Sequence, residues 1–427
     1  MNNKGYGRKG WEFLIYCILA FYVATAFKDS MNVAVMTFEE KMGWDRTYLL
    51  SLASIGAYVT CAVTYVLGLL NAAGKLSARV IALGTGLLYA VTISLWGVIP
   101  SLSLFTFNYV IMTIGYTIWT QFANNTMIAN WFPKKNGAVI GIATIGFPLA
   151  AATNSLLFSK LSEVVSFSNI YFIFGVTTLV LTIYGFIRFK DNPEESGFYP
   201  DNDKSMTKES VEEIHKREAE IAKNSPWTPK RMLKLKETWI IGICSGLMIL
   251  VASGSMGQMV PRFMSGGMEL QLAVRMMTIV GASAMVGSWL IGKLDYKFGV
   301  KKIFVITIAL LAVACGVYAI NSLPAMMAGA IIIGVALGGA TNFIVSLVAH
   351  YWGRNNFKKA YGTIFTIATL VGSSGAILVA NLSKAMSYTV AYLVIAVIIA
   401  ISFFPALSLK EGFVETNEKK FAKEDKK

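Results

Sequence analysis

Long, largely apolar stretches are the feature that most limits what this chain can fold into. Residues 11–35 and 239–260 are two such stretches, each far longer than a β-strand. A helix needs about 20 apolar residues to cross the ~30 Å hydrocarbon core of a bilayer, because each residue advances it by ~1.5 Å. Only 15% of the 427 residues are charged, whereas soluble domains carry about 25%. The pattern predicts an integral membrane protein.

The apolar stretches predict an all-α membrane protein with twelve transmembrane helices. The predicted spans, numbered 1 to 12, are residues 11–36, 47–70, 80–99, 102–129, 137–160, 168–189, 237–260, 271–292, 303–321, 324–349, 361–383 and 387–408. An even number of spans places both termini on one side of the membrane.

Basic residues indicate which side that is. With both termini in the cytoplasm, 31 of the 38 Lys and Arg residues fall in cytoplasmic segments, five in outside loops, and two, Lys28 and Arg275, at membrane depth. This asymmetry follows the positive-inside rule. The formal charge of +14 therefore reflects topology and contact with anionic lipid headgroups, and we expect no nucleic-acid partner. A multi-pass protein of the inner (cytoplasmic) membrane is predicted.

A polar segment divides the chain into two similar halves. We expect a six-helix bundle over residues 1–189, a cytoplasmic linker over 190–236, a second bundle over 237–409 and a basic cytoplasmic tail over 410–427. The linker is expected to hold a short charged helix near residues 208–223.

A weak internal repeat relates the two halves. Trp131 and Gly141 follow span 4 at the same ten-residue interval as Trp352 and Gly362 follow span 10. Ten residues before each Trp stand two amides, Gln121 and Asn342, at matching depth. Internal repeats of this kind build central binding sites in many transporters.

Residue types argue against catalysis or a bound metal. The chain has two histidines, no Cys-x-x-Cys pair and no Gly-rich motif ending in Lys-Ser or Lys-Thr for phosphate. Its four cysteines lie within apolar stretches and are expected to be packing residues. We therefore expect no enzyme activity, no catalytic residue, no cofactor, no metal site and no obligatory protein partner, and gradient-driven transport.

The arrangement resembles the major facilitator superfamily over essentially the whole chain, with six helices, a charged linker and six more helices. The sharpest motif is residues 292–302 after span 8, in which Gly292 is followed by an acid and then by basic residues on both sides of a second glycine, Gly299. The resemblance implies a cytoplasmic gate built from Asp295, Lys297, Lys301 and Lys302. The corresponding loop of the first half has Asn71 where the motif has an acid.

A finer resemblance links the chain to the monocarboxylate transporters and the oxalate–formate antiporter group. Residues 131–141, with Trp-Phe, a Lys pair and Gly leading into span 5, are similar to those groups, and residues 192–200 resemble their linker. Monocarboxylate transporters place a Lys in span 1 and an Arg in span 8, which resembles Lys28 and Arg275. Their acid one turn before the Arg has no match here, since Gln271 and Val274 stand nearby.

Charges at membrane depth are the main candidates for function because each costs about 2.5–3.5 kcal/mol on insertion scales. Arg275 offers a fork of donors that fits a carboxylate, and the alternative is a structural ion pair or a side chain that reaches the outer surface. Lys28 and Asp29 are neighbours that point ~100° apart, so one of them faces a pathway and the other a helix. Asp29 is the candidate for proton coupling, or else a structural partner of Lys28 or Arg275.

Neutral polar residues complete the predicted substrate site, either as ligands or as interhelical hydrogen bonds. The candidates are Tyr116, Trp119, Gln121, Asn124, Asn342 and Gln258. Small residues four apart predict packing seams between the halves. The pairs are Gly137 with Gly141, Ser253 with Gly257, and Ser283 with Gly287.

The sequence predicts a secondary active transporter that works by alternating access. A small, monocarboxylate-like organic anion, moved by proton symport or anion exchange, is the favoured substrate. One alternative is a proton-driven exporter of drugs or cations, for which only Asp29 could serve. The other alternative is a membrane sensor that transports nothing.

Overall fold

A computed structural model describes residues 5–203, 205, 213, 220 and 225–424, and every regular element in this part of the chain is helical. Eleven helices within these residues are long and apolar enough to cross a membrane, and Ala78–Ser94 is a shorter apolar helix of 17 residues. The predicted all-α fold with twelve spans is confirmed. The charged helix expected near residues 208–223 lies almost wholly outside the described residues.

Spans 1–6 form the first bundle, in which spans 2, 3 and 6 are continuous and spans 1, 4 and 5 are broken. Span 1 is α1 (Gly7–Ala24) and α2 (Ala26–Met42), span 2 is α3 (Arg46–Ala72), and span 3 is α4 (Ala78–Ser94). Span 4 is α5 (Leu102–Thr117) and α6 (Asn125–Trp131), joined by a π-helical segment (Ile118–Asn124). Span 5 is α7 (Asn136–Ala143) and α8 (Gly146–Ser162), and span 6 is α9 (Phe167–Arg188).

Spans 7–12 form the second bundle, preceded by a single turn of helix. The single turn is α10 (Pro229–Met232), and spans 7, 8 and 9 are α11 (Lys236–Ser265), α12 (Leu270–Phe298) and α13 (Val300–Ala319). They are followed by α14 (Leu323–Gly372), α15 (Gly375–Ala385), α16 (Tyr388–Leu407), which is span 12, and the tail helix α17 (Phe413–Glu424). Gly353 has a non-helical φ of 61° inside α14, so this element contains span 10 and the start of span 11. Span 11 ends with α15.

Polar side chains start the helices where short turns join the spans. Asp45 accepts a hydrogen bond from the Tyr48 amide at 2.7 Å at the start of span 2. Four serines cap other helices in the same way, and they are Ser77, Ser101, Ser166 and Ser387. Each cap satisfies an amide that the first helical turn leaves unpaired.

The distribution of side chains fits lipid surroundings. Large apolar side chains such as Phe107 and Phe404 are exposed, while Asn and Thr side chains are buried between helices. Within the first bundle, Gly86 packs against Thr182 and Gly175 packs against Ser94, which brings spans 3 and 6 together. Small residues permit this close approach where lipid supplies no hydrophobic drive for helix association.

The two bundles meet along spans 2 and 11 on one side and spans 5 and 8 on the other. Gly68 lies against Gly362 on the first side, and a Cβ on Gly68 would stand 3.5 Å from the Gly362 Cα. On the second side, Gly141 packs against Gly292, with 3.3 Å between a Cβ built on Gly141 and the Gly292 Cα. The predicted seam at Gly137 and Gly141 is confirmed.

The other predicted seams lie elsewhere. Ser283 donates to the Ile331 carbonyl and Gly287 packs against Val335, so this pair joins spans 8 and 10 within the second bundle. Ser253 donates to the Gly372 carbonyl of span 11, and a Cβ on Gly257 would meet no described atom within 4 Å. The prediction that these pairs form seams between the halves is wrong, because four-residue spacing marks a packing face without saying which helix covers it.

The loop between spans 4 and 5 is held by the start of the linker. The buried carboxylate of Asp201 accepts hydrogen bonds from the amides of Lys134 at 3.0 Å and Lys135 at 2.9 Å. The Lys135 ammonium donates to the Asp201 carbonyl at 3.0 Å. These bonds fix the turn that leads into α7. The four cysteines are buried free thiols, as expected of packing residues.

Candidate functional site

Lys28 lies just after the break in span 1. The break follows Thr25, whose hydroxyl bonds the carbonyls of Phe21 and Tyr22 in the preceding turn. Such back-bonding by Thr bends helices. The side chain of Lys28 is exposed even though its neighbours Phe27 and Ser30 are buried. An ammonium group therefore stands at membrane depth beside a helix break. We call the surroundings of this ammonium group the Lys28 site.

Tyr116 is the main contact of Lys28. The Lys28 Nζ lies 3.4 Å from the Tyr116 hydroxyl oxygen and 4.8 Å from the centre of the Tyr116 ring. A cation over an aromatic face is attracted by the ring quadrupole. The Tyr116 hydroxyl also accepts a hydrogen bond from Gln121 Nε2 at 3.2 Å. Three residues of the predicted substrate site thus form one hydrogen-bonded cluster.

The π-helical segment explains how Tyr116 and Gln121 meet. Residues five apart face each other in a π-turn, whereas in an α-helix the facing residues are three or four apart. Tyr116 lies in the last turn of α5, two residues before the segment Ile118–Asn124, and Gln121 lies within that segment. Short π-helical insertions occur frequently at functional sites.

Gln121 also lies at the junction of the bundles. Its backbone carbonyl accepts a hydrogen bond from the hydroxyl of Tyr361 in span 11. Asn125 donates to the same carbonyl at 2.9 Å and to the Tyr361 hydroxyl at 3.2 Å. The Tyr361 ring stacks on Phe357 and Phe122, with ring centres 5.1 Å and 6.0 Å apart.

Asn342 joins the bundles on the other side of the junction. Its Oδ1 accepts a hydrogen bond at 2.8 Å from Thr144, which lies at the break in span 5. The Thr144 hydroxyl is 3.0 Å from the Ser288 hydroxyl, and Ser288 donates to the Gly141 carbonyl at 2.8 Å. Gln121 and Asn342, paired by the repeat, therefore both lie where the bundles touch.

Other residues of the predicted site lie away from the Lys28 site. Trp119 and Asn124 are fully buried, and the Trp119 ring lies 6.2 Å from Tyr89 inside the first bundle. Gln258 accepts a hydrogen bond from Tyr388 at 3.0 Å inside the second bundle. The structure does not bring these three side chains to the cluster, because a polar side chain in a helix can equally face its own bundle.

Arg275 is exposed on span 8, one turn from Thr278, which lies 3.5 Å from the Ala152 carbonyl of span 5. Within the described part of the chain, no hydrogen bond or ion pair joins Arg275 to another side chain. The side chain of Asp29, the predicted proton-coupling residue, lies outside the described residues.

The predicted gate residues divide between two environments. Asp295 is buried against Gly137 of span 5, whereas Lys297, Lys301 and Lys302 are not buried. Lys297 and Lys302 lie 5.0 Å and 5.9 Å from the Phe298 ring centre. Among the described residues, no salt bridge joins Asp295 to these lysines. Asn71 donates to the Leu76 carbonyl at 2.8 Å and so remains within its own loop.

Sequence reasoning missed four residues that connect the bundles. They are Asn125, Thr144, Ser288 and Tyr361. Tyr361 directly precedes Gly362 of the repeated Trp-to-Gly interval, and Asn125 stands four residues after Gln121. Those two residues stand beside positions that the repeat marks, whereas Thr144 and Ser288 carry no such signal.

Known proteins resemble this chain over most of its length. The family model of the Major Facilitator Superfamily matches residues 18–295 and 267–426. YhjX of Escherichia coli K12, an uncharacterised MFS-type transporter, is 21% identical over 245 residues, which are 55% of this chain and 54% of YhjX. The chain thus matches about half the length of that curated relative.

Solved structures share the fold. The human organic anion transporter MFSD10 (TETRAN) superimposes with a TM-score of 0.69 at 13% identity, covering 93% of this chain and 99% of that one. The transporter FucP, in its outward conformation, gives a TM-score of 0.63 at 15% identity, covering 92% of this chain and 97% of that one. With the sequence match, these likenesses support one conclusion: the chain belongs to the Major Facilitator Superfamily.

Proposed function

We propose that this protein is a secondary transporter that moves a small organic anion through a pathway between its two bundles. The observation that carries the proposal is the environment of Lys28. Its ammonium group is exposed at membrane depth and contacts the hydroxyl and ring of Tyr116, but no carboxylate among the described side chains. A charge held at depth is costly, and a negatively charged solute would offset that cost.

The chemistry of the Lys28 site suits one carboxylate group. The ammonium supplies charge-assisted hydrogen bonds, and the hydroxyl of Tyr116 can donate a second one. Arg275 is the second cation at depth and supports the same choice of substrate. The likeness to the human organic anion transporter concerns the fold, and the proposal depends on Lys28.

Membrane placement and coupling belong to the same proposal. We expect both termini in the cytoplasm, because 31 of 38 basic residues then lie on that side. The ends of the spans that face this side, where the loops rich in Lys and Arg lie, are called the basic end below. Proton symport with Asp29 as carrier, or exchange of two anions, would drive transport, and the sequence motifs that resemble monocarboxylate and oxalate–formate transporters fit either.

Uptake into reconstituted vesicles tests the proposal. Labelled monocarboxylates, dicarboxylates and organic cations would be offered to wild-type protein and to Lys28→Gln, which keeps length and polarity but loses the charge. We expect uptake of at least one carboxylate, and a fall of about tenfold or more in Lys28→Gln, since a charge-assisted hydrogen bond contributes about 1.5–3 kcal/mol.

A matched control is Lys160→Gln, which removes an exposed charge at the end of span 5. This variant should transport at the wild-type rate. The proposal fails if Lys28→Gln transports carboxylates as well as the control does, or if only cations are moved.

A further inference from the structure

A chain of hydrogen bonds leads from the Lys28 site to the contact between the bundles. Lys28 and Gln121 both donate to the Tyr116 hydroxyl oxygen, at 3.4 Å and 3.2 Å. The backbone carbonyl of Gln121 then accepts from Tyr361 of the second bundle. Successive hydrogen bonds therefore link four residues from spans 1, 4 and 11, which are Lys28, Tyr116, Gln121 and Tyr361.

The link to Tyr361 lies where the bundles are closed. Gly362, the next residue after Tyr361, approaches Gly68 so closely that a Cβ on Gly68 would stand 3.5 Å from the Gly362 Cα. Gln121 precedes Trp131, at the basic end of span 4, by ten residues, or about 15 Å of helix. Tyr116 lies five residues further from that end. The chain of bonds thus runs from the Lys28 site towards the basic end.

The π-helical segment lies between the two ends of this chain of bonds. The segment contains Gln121, whose side chain faces the Lys28 site and whose backbone carbonyl faces the other bundle. A π-turn is an irregular hydrogen-bond arrangement that competes with the α-helical one. A shift of register at Gln121 would move its side chain and its carbonyl together, which is what a two-state coupling element needs.

We infer that Tyr361 is a positioning residue that holds the basic end closed, and that the π-helical segment couples this closure to the state of Lys28 and Tyr116. The inference rests on the proposed function only in taking Lys28 as the point where the solute is met. A solute that takes the hydrogen bonds of Lys28 and Tyr116 would release Gln121, and the carbonyl that holds Tyr361 would move with it.

Accessibility of a cysteine at the basic end tests the closure without any solute. The four native cysteines would be replaced by serine or alanine, and Ala129→Cys would be introduced. Ala129 is buried and lines a small cavity between the bundles together with Ala349 and Phe357. A membrane-impermeant maleimide added to inside-out vesicles would report how often the basic end opens. Ala349→Cys is a second probe position should Ala129→Cys fold poorly.

Tyr361→Phe removes one hydroxyl and keeps the stacked ring. We expect it to raise the labelling rate about five- to tenfold, the factor that corresponds to one lost hydrogen bond. Asn125→Ala, which removes the other partner of that hydroxyl, should act in the same direction. The matched control is Tyr392→Phe, whose buried hydroxyl lies within the second bundle and should leave labelling unchanged.

Tyr116→Phe tests the coupling itself. It removes the hydroxyl that receives Lys28 and Gln121, so it should also raise labelling of the Ala129→Cys probe, although it lies further from that probe than Tyr361 does along the chain of bonds. If the labelling rate of Tyr361→Phe is unchanged, the closure is overturned. If the rate rises in Tyr361→Phe but not in Tyr116→Phe, the coupling is overturned. Because no solute is present, a raised rate in both variants supports the inference even if vesicle uptake refutes the anion substrate.

Discussion

Asp295 of span 8 lies directly against Gly137 of span 5, and a Cβ built on Gly137 would stand 2.8 Å from the Asp295 Oδ2. One turn further into the membrane, Gly141 meets backbone instead, with its Cβ position 2.9 Å from the Ser288 carbonyl oxygen. Both glycines thus allow spans 5 and 8 to pack closely, but Gly137 faces a side chain that can rotate, whereas Gly141 faces a fixed helix backbone.

Alanine at these two glycines is predicted to have unequal effects on stability. A carboxylate can rotate away from Gly137→Ala, whereas Gly141→Ala pushes against a helix backbone that cannot yield. We expect Gly141→Ala to lower the melting temperature in detergent clearly, and Gly137→Ala to lower it less. Overpacking of this kind costs about 1–3 kcal/mol.

Gly257→Ala is the control for helix propensity. No described atom lies within 4 Å of its Cβ position, so alanine should stabilise span 7 by about 0.5–1 kcal/mol. The packing argument is contradicted if Gly141→Ala is as stable as wild type or if Gly257→Ala is the least stable of the three.

Much of the fold follows from the sequence because membrane spans obey one simple rule of length and hydropathy. That rule predicts twelve spans, and the residues of the Lys28, Tyr116 and Gln121 cluster are all candidates on sequence grounds. The direction in which a polar side chain faces does not follow. Trp119 and Asn124 belong to the π-helical segment, where helical periodicity no longer gives the facing of a residue.

The contacts between the bundles are harder still to predict. Tyr361 is aromatic and reads as a packing residue until its hydroxyl is seen to reach the carbonyl of Gln121. A backbone acceptor has no sequence signature, so only the three-dimensional fold reveals this bond. Arg262 is a second example, because the distribution of basic residues places it in an outside loop, whereas in the structure its side chain is buried at 2% exposure.

Acidification should increase the contribution of Asp201 to the stability of the folded protein. Burial raises the pKa of the Asp201 carboxyl, and the amides and side chains of Lys134 and Lys135 oppose that rise. A carboxyl whose pKa is higher in the folded protein than in the unfolded chain binds its proton more tightly when folded. Its contribution to stability is therefore full below the ordinary Asp pKa of about 3.9 and is lost as pH rises through the raised value.

Asp201→Asn isolates this contribution because it keeps one acceptor oxygen and cannot titrate. Melting temperatures of both proteins would be measured from pH 7 to pH 4. We expect wild type to gain stability relative to Asp201→Asn as the pH falls. Asp203, which lies 3.8 Å from the Lys134 ammonium, is present in both proteins and cancels in the difference. Parallel curves, or a relative loss by wild type, would contradict the assignment.

The tail helix α17 is predicted to stabilise the end of the linker and the short helix α10, which lead into span 7. Its Phe421 is buried against Trp227, with ring centres 5.5 Å apart, and the Arg231 guanidinium lies 5.0 Å from the Phe421 ring centre. Phe421→Ala should lower the free energy of unfolding by about 3–5 kcal/mol and expose Trp227 to an aqueous fluorescence quencher. Lys420→Ala, at an exposed neighbouring position, should change neither quantity.

Arg262 is predicted to be the most sensitive cation for folding. Its guanidinium donates to the carbonyls of Tyr318 and Ala319, both at 3.1 Å, and to the Asn321 side chain at 3.2 Å. These carbonyls end α13, where a helix carries partial negative charge, so the cation is held by a helix terminus. No salt bridge to Arg262 is found among the described residues.

Arg262→Met keeps the length and apolar stem of the side chain but leaves several carbonyls without donors. We expect a loss of about 2–4 kcal/mol, seen as a lower melting temperature and a lower yield of folded protein, because orphaned buried acceptors cost their full desolvation. Arg262→Lys should recover part of this loss, since an ammonium restores the charge but not the planar fork. Lys384→Gln, an exposed charge at the end of α15, serves as the control and should be neutral. If Arg262→Met melts with that control, then the ends of spans 7 and 9 are held by apolar packing alone, and the buried guanidinium has no stabilising role.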